Sequence, residues 1–306
     1  MRAGSPVAVL FPGQGAQQPG MGAWLLERPA ARRIFALASC AAGEDLAALC
    51  RQGPPERLQD TRLAQPALLA VSLSCWELVR EAGVTPAAAA GHSLGEFGAW
   101  VVSGLLDEET ACYLVAERGR LMAKAAAETP GGMAAVLGLA EEQVAELCRQ
   151  ASGPELVVPA NYNCPGQVVI SGAAPALERA LALVAQAGGK AMPLPVAGAF
   201  HSPLMEPASL GFAKVLKSVR LGQVRVPVAA NLSGALVADR EAACAALQGQ
   251  MLGAVRWEAA MRALLAQGIT RFLELAPGRS LAGLMRRIAP QAQVLSVDDQ
   301  KALQAL

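Results

Sequence analysis

The first place in this chain where residue types and spacing can do chemistry is Gly91-His92-Ser93-Leu94-Gly95. Gly-x-Ser-x-Gly between a buried strand and a helix forms a nucleophile elbow, a sharp turn that presents the hydroxyl. An Ala-rich run precedes the serine and a helix-like run from Leu94 to Gly104 follows it. The helix start leaves free N–H groups, so the Leu94 N–H is a candidate oxyanion donor. The same five residues also fit an ordinary tight turn. A serine hydroxyl is a weak nucleophile and needs a base. The chain has two histidines, and His92 is expected to point away from the Ser93 hydroxyl. That leaves His201, in AGAFHSPLMEP, where Ser202 caps a helix beginning at Pro203. No acid presents itself as a third member. Asp107, in LLDEETA, reads as a helix cap, and Asp239 carries little signal for the role. The expectation is a Ser-His dyad whose imidazole is oriented by something other than a carboxylate, such as a main-chain carbonyl.

Two further residues carry chemistry. The helix read from Asp107 to about Ala127 has an apolar stripe of Ala111, Leu114, Val115, Leu121, Met122 and Ala125, and Arg118 falls inside it. A guanidinium facing the core needs a partner. Either a structural salt bridge holds it, or it is an anion receptor whose planar fork takes a substrate carboxylate. Near the N-terminus, an apolar run ends in Phe11-Pro12-Gly13-Gln14-Gly15. The flanking glycines let the Gln14 N–H approach a ligand, or simply make a turn.

The elements that must position these residues alternate. Strands are expected at 7–11, 87–91, 226–230, 270–275 and 293–297. Helices are expected at 66–82, 94–104, 107–127, 203–218, 241–251, 256–267 and 279–288. Such βα alternation builds a parallel sheet covered on both faces. One stretch departs from it: strand 132–139, helix 141–151, strands 156–162 and 166–172, helix 174–187 and strand 190–196. This β-α-β-β-α-β order is ferredoxin-like. The fold expected is α/β, a hydrolase-like parallel-sheet domain (1–130 and 197–306) with an inserted ferredoxin-like α+β subdomain (131–196), and a ligand cleft between them.

Composition removes several classes. With 53% hydrophobic and 17% charged residues, the chain builds a large core rather than a disordered one. A net charge of +1 gives no electrostatic case for nucleic acid. No apolar run reaches the roughly 18 residues of a membrane span. The seven cysteines, with no Cys-x-x-Cys pair, suit neither zinc nor a disulfide framework, and imply a reduced, cytoplasmic setting. A monomer is the default expectation.

Six segments, FPGQGAQ (11–17), GHSLGE (91–96), ERG (117–119), NYNCPGQVVISG (161–172), FHSPLM (200–205) and LELAPGRSL (273–281), occur in this order. Together they resemble the acyltransferase family of malonyl-CoA:acyl-carrier-protein transacylases and polyketide synthase acyltransferases, over nearly the whole chain. The resemblance implies Ser93 as nucleophile, His201 as its catalytic partner, Arg118 as holder of the malonyl carboxylate, and the N–H groups of Gln14 and Leu94 as the oxyanion hole. Gln250 matches the glutamine whose main-chain carbonyl orients the histidine. Met122, Asn163 and Phe200 complete the substrate-contacting set. Phe200, before the histidine, resembles malonyl-selective members, where a ring fills the space of an α-methyl; it also reads as packing between the two domains. The resemblance further implies ping-pong transfer from malonyl-CoA to the phosphopantetheine of an acyl carrier protein in fatty acid synthesis, with no metal or redox cofactor. The alternatives are a stand-alone polyketide acyltransferase, an esterase or acyl hydrolase of the α/β-hydrolase type, and a non-catalytic carrier-binding module. In an esterase the histidine normally lies near the C-terminus after an Asp or Glu, and no histidine follows His201.

Overall fold

The computed structural model describes residues 6–306. Short apolar runs form the strands β1 (Val7–Phe11), β2 (Ala88–Gly91), β3 (Gly131–Leu137), β4 (Val157–Cys164), β5 (Gln167–Ala173), β6 (Lys190–Pro193), β7 (Val228–Ala229), β8 (Leu236–Val237), β9 (Arg271–Leu275) and β10 (Gln293–Val297). They make two sheets. The larger has the order β10-β9-β1-β2-β7-β8 and is parallel except for β8, which runs antiparallel at one edge. Its strands are apolar on both faces because both faces are covered. Val9 and Phe11 of β1 enter one core cluster, while Ala8 and Leu10 enter the other.

The smaller sheet has the order β4-β5-β3-β6 and is antiparallel, the ferredoxin-like arrangement. The helices Glu141–Ala151 and Ala174–Gln186 cover one face, packing Val144, Cys148 and Val184 onto Val136 and Ile170. Met133, Ala135 and Val169, on the other face, join the core cluster of the larger sheet. The two units are therefore stitched by shared apolar burial. The backbone adds to this: Tyr162 N donates to Val255 O at 2.8 Å, and Val255 N to Ala160 O at 2.8 Å.

Several expectations change. The helix expected from Pro66 begins at Thr61, because Asp60 caps it and Pro66 lies within. Strand 226–230 shortens to two residues after Pro227, and strand 190–196 ends at Pro193. The helices Pro29–Ala42, Leu46–Gln52, Pro55–Gln59 and Gln300–Gln304 and the strand β8 had no counterpart in the sequence reading. Asp107 and Asp239 both act as helix caps, accepting from Thr110 N and Ala242 N.

Candidate active site

β1 and β2 lie side by side, with Phe11 opposite Gly91, so the Pro12–Gly15 turn and the Ser93 elbow leave the sheet at the same, carboxyl end. Ligands of open parallel sheets bind at this end, near the point where the strand order reverses. The elbow requires its glycines. A Cβ on Gly91 would lie 2.0 Å from Gly95 C, and one on Gly95 would lie 2.3 Å from Phe11 O. The turn forces Ser93 to φ +51°, a left-handed conformation disfavoured for a residue with a side chain. Its peptide groups are held from two sides. Ser93 N donates to Asn231 Oδ1 at 2.7 Å, and Ser93 O accepts from Gln250 Nε2 at 2.9 Å.

Ser93 Oγ lies 2.7 Å from His201 Nε2. His201 is buried on the turn before Pro203–Met205, where Ser202 Oγ accepts from Leu204 N. The other ring nitrogen, Nδ1, faces two carbonyl oxygens, Gln250 O at 3.0 Å and Gly253 O at 3.1 Å. Both accept only, so Nδ1 carries the hydrogen and Nε2 presents its lone pair to the serine hydroxyl. Burial, and then the positive charge of Arg118, push the His201 pKa down to about 3. The imidazole is thus neutral and able to accept a proton.

Arg118 projects from the helix Glu108–Glu128 with 1% exposure. Gly119 brings this helix against the start of Thr61–Glu81: a Cβ there would lie 2.8 Å from Thr61 O. The close approach lets Gln65 reach the guanidinium. Arg118 Nη1 donates to Gln65 Oε1 at 2.7 Å, Nε to Gln250 Oε1 at 3.0 Å, and Nη2 to Ser93 Oγ at 3.2 Å. Among the described residues no carboxylate forms a salt bridge with it. Burial lowers its pKa to about 10, partly offset by the charge of Glu96, so it stays a cation at neutral pH. Nη1 and Nη2 each retain a second N–H.

A small cavity of about 70 Å³ opens at Ser93, lined among others by His201, Arg118, Gln14, Met122 and Phe200. Neither the Gln14 N–H nor the Leu94 N–H has an acceptor among the described residues. Met122 Sδ accepts from Gln65 Nε2 at 3.5 Å. An adjoining cavity of about 400 Å³ shares Gln14, His92 and Leu194 with the first. Asn163 lines this second space rather than the first, its Oδ1 2.9 Å from His92 Nε2. His92, packed on Trp257, is thereby turned from the serine hydroxyl. Asn161 lines the first cavity, and its Oδ1 is buried without a partner among the described residues. No group of three or more His, Cys, Asp or Glu among the described residues is arranged to hold a metal ion.

Residues 9–298 match the acyl transferase domain. The chain belongs to the acyl transferase domain family. It is 39% identical over 303 residues to the malonyl CoA-acyl carrier protein transacylase of Bacillus subtilis, covering 98% of this chain and 96% of the relative. The malonyl-CoA:acyl carrier protein transacylase structure from Xanthomonas oryzae pv. oryzae superposes with a TM-score of 0.95 at 41% identity, covering 99% of this chain and 98% of that one. A malonyl-transacylase solved in complex with a type II PKS acyl-carrier protein superposes with a TM-score of 0.93 at 39% identity, covering 98% of each chain.

The candidate site contains residues that the sequence reading did not single out. Glu96, Asn231, Gln65 and Asn161 are all buried within it. For Gln65 a signal was present, a polar residue directly before the apolar run Pro66–Val71 of its helix. For Asn231, after a two-residue strand, no local signal exists.

Proposed function

We propose that this acyltransferase moves a malonyl group from malonyl-CoA to the phosphopantetheine thiol of an acyl carrier protein of fatty acid synthesis, in the cytoplasm, through a malonyl ester of Ser93. The observation that carries the reading is Arg118: a buried cation without a salt bridge among the described residues, 3.2 Å from the hydroxyl that His201 engages. A buried charge lacking a counter-ion is costly. A malonyl carboxylate supplies that counter-ion, and each charge-assisted hydrogen bond contributes about 1.5–3 kcal/mol.

In the first half-reaction Ser93 Oγ attacks the thioester carbonyl and its proton passes to His201 Nε2. The free N–H groups of Gln14 and Leu94 receive the oxyanion. The carbon–sulfur bond then breaks, and the leaving thiolate takes the proton from His201. In the second half-reaction the phosphopantetheine thiol gives its proton to His201 and attacks the malonyl ester. The carbon–oxygen bond breaks, and Ser93 recovers its proton from His201. Docking of the substrate also tunes the base. Arg118 depresses the His201 pKa, so a carboxylate on Arg118 cancels that effect and makes the imidazole a better proton acceptor. The small cavity at Ser93 suits a short acyl group, and the adjoining larger one suits the pantetheine arm. Phe200 closes the first cavity against an α-methyl.

A second reading, a stand-alone polyketide acyltransferase, is favoured by the likeness to the transacylase solved with a type II PKS carrier. Intact-protein mass spectrometry after mixing with malonyl-CoA tests the chemistry: the expected result is one malonyl unit on the peptide containing Ser93, discharged by a holo carrier protein. A label on a cysteine, or full transfer by Ser93→Ala, would sink it. Presenting fatty acid and polyketide carriers in parallel separates the two readings by relative kcat/KM.

A further inference from the structure

A carboxylate that does not enter the transfer steps lies beneath the nucleophile. Glu96 opens the helix Glu96–Ser103, where a glutamate ordinarily sits in solvent and complements the helix dipole. Here it is 0% exposed. Both its oxygens are satisfied inside: Oε1 accepts from Asn231 N at 2.9 Å, and Oε2 accepts from Gln250 Nε2 at 2.6 Å. These two partners are the residues that grip the Ser93 peptide. Asn231 Oδ1 accepts from Ser93 N, while Asn231 Nδ2 donates to Gly91 O at 2.6 Å. Gln250 Nε2 donates to Ser93 O, Gln250 Oε1 accepts from Arg118 Nε, and Gln250 O accepts from His201 Nδ1.

We infer that Glu96 is a positioning residue for acyl transfer: its carboxylate fixes Asn231 and Gln250, and through them the Ser93 backbone, the carbonyl that orients His201 and the guanidinium of Arg118. The inference rests on the roles proposed above for Ser93, His201 and Arg118.

Three features of the geometry support it. The left-handed φ of Ser93 needs restraint on both sides, and the two restraints converge on one side chain. The Gln250 amide can face only one way, because its NH2 points at two acceptors and its oxygen at a donor; the Glu96 carboxylate is the strongest of those cues. Finally, Glu96 stands one amide away from Arg118. Its charge reaches the guanidinium, yet the N–H groups facing the cavity stay free, which a direct ion pair would not allow. Burial raises the Glu96 pKa to about 7 against the pull of Gln250, Asn231 and Arg118, and the Glu96 charge in turn supports Arg118.

Glu96→Gln keeps the shape and exchanges one acceptor for a donor, so an N–H must face either Asn231 N–H or the Gln250 NH2. Malonylation of Ser93, followed by quench and mass spectrometry, should show kcat reduced by at least about 10-fold. KM for malonyl-CoA should stay within about 3-fold in protein that remains folded by circular dichroism. In a Gln250→Ala background the same change should lower kcat by no more than about 3-fold, because the arm through Gln250 is already cut. If Glu96→Gln does not fold, Glu96→Asp, which retracts both oxygens by one methylene, goes through the same cycle with the same coupling expected. A wild-type rate in the folded variant, or full additivity with Gln250→Ala, makes Glu96 a structural residue and overturns the inference alone. A wild-type enzyme that is never malonylated on Ser93 overturns the transfer reading and this inference with it.

Discussion

Ser93 Oγ and His201 Nε2 meet at 2.7 Å, and these two residues are the only non-glycine residues among the described ones with positive φ, 51° and 56°. Each left-handed residue costs roughly 1–2 kcal/mol, so the surrounding structure must impose both. Around Ser93 the contacts on the backbone are Asn231 and Gln250; at His201 the carbonyls of Gln250 and Gly253 hold the ring. Gln250 serves both residues, with its side chain for one and its main chain for the other. That arrangement does without a triad acid: the histidine is oriented by acceptors that never titrate.

A titration follows from this. The His201 pKa is lowered from 6.5 to about 3, first by burial and then by Arg118. The base is therefore neutral across the usual assay range, and kcat/KM for malonyl-CoA should show no acidic limb near pH 6.5. The His201 ring resonances should likewise show no titration step there. Above pH 6.5 both folded and unfolded states leave this histidine neutral. Below it the unfolded chain binds a proton that the folded one refuses, so this residue's share of stability is lost as pH falls from 6.5 toward 3. An activity midpoint near 6.5 that disappears in His92→Gln would assign the limb to His92 instead.

Gly119 should behave unlike a glycine in open space. A Cβ at Gly119 would meet Thr61 O at 2.8 Å, whereas one at Gly283, in the helix Ser280–Ile288, meets nothing within 4 Å. Gly119→Ala must push the helix Glu108–Glu128 away from Thr61–Glu81 and should destabilise by about 1–3 kcal/mol. It should also slow malonylation by moving Arg118 next to it. Gly283→Ala should stabilise by about 0.4–1 kcal/mol with activity unchanged. Denaturant unfolding with parallel rate measurements reads both, and equal effects at the two positions would contradict the packing argument.

What the sequence shows depends on whether the signal is local. The helix Glu141–Ala151 and the ferredoxin-like order were legible because their periods are short and clear. Arg118 stood out because a charge interrupts an apolar stripe, and His201 because there are few histidines to choose from. Pro29–Ala42 was not legible. Its buried face is Ala31, Ile34, Phe35 and Ala38, and the two alanines give little contrast with the other faces. Thr61 was missed as a helix start because Pro66 imitates a first-turn proline. Glu96 was hidden for a different reason: a glutamate in a first turn has an ordinary explanation, and only the fold shows that Asn231 and Gln250, more than 130 residues away in sequence, seal it from water. Asn163, expected among the substrate-contacting residues, bonds His92 and lines the second cavity, while Asn161, two residues earlier, lines the cavity at Ser93.

Phe200 should set tolerance at the α-carbon. It is 5% exposed and lines the cavity at Ser93. Phe200→Ser makes room for one more methyl, a change of about 1–3 kcal/mol in discrimination, or roughly 10–200-fold. The ratio of kcat/KM for methylmalonyl-CoA to that for malonyl-CoA should rise within that range. An unchanged ratio with a lower Tm would make Phe200 a packing residue between the two sheets and nothing more.

Arg118 should decide which acyl groups are accepted. Arg118→Ala removes the fork, and it also strips donors from Gln65 Oε1, Gln250 Oε1 and Ser93 Oγ. Leaving buried acceptors unpaired costs about 1–3 kcal/mol each where water cannot enter, so some loss is expected with every substrate. The informative quantity is the difference between substrates. Malonyl-CoA loses a charge-assisted bond worth about 1.5–3 kcal/mol in addition, so its acylation rate should fall at least about 10-fold more than that of acetyl-CoA. Arg118→Lys keeps the charge but concentrates its donors on one nitrogen instead of the fork whose separate nitrogens bond Gln65 and Gln250 and still present N–H groups to a carboxylate, so rescue should be partial. The His201 pKa should also rise in Arg118→Ala, because a charge that lowers it is gone. Parallel acylation of Ser93 by malonyl-CoA and acetyl-CoA in wild type and both variants reads all of this. Equal losses for the two substrates would make Arg118 a structural member of the Gln65–Gln250 network, and the carboxylate would have to be received elsewhere.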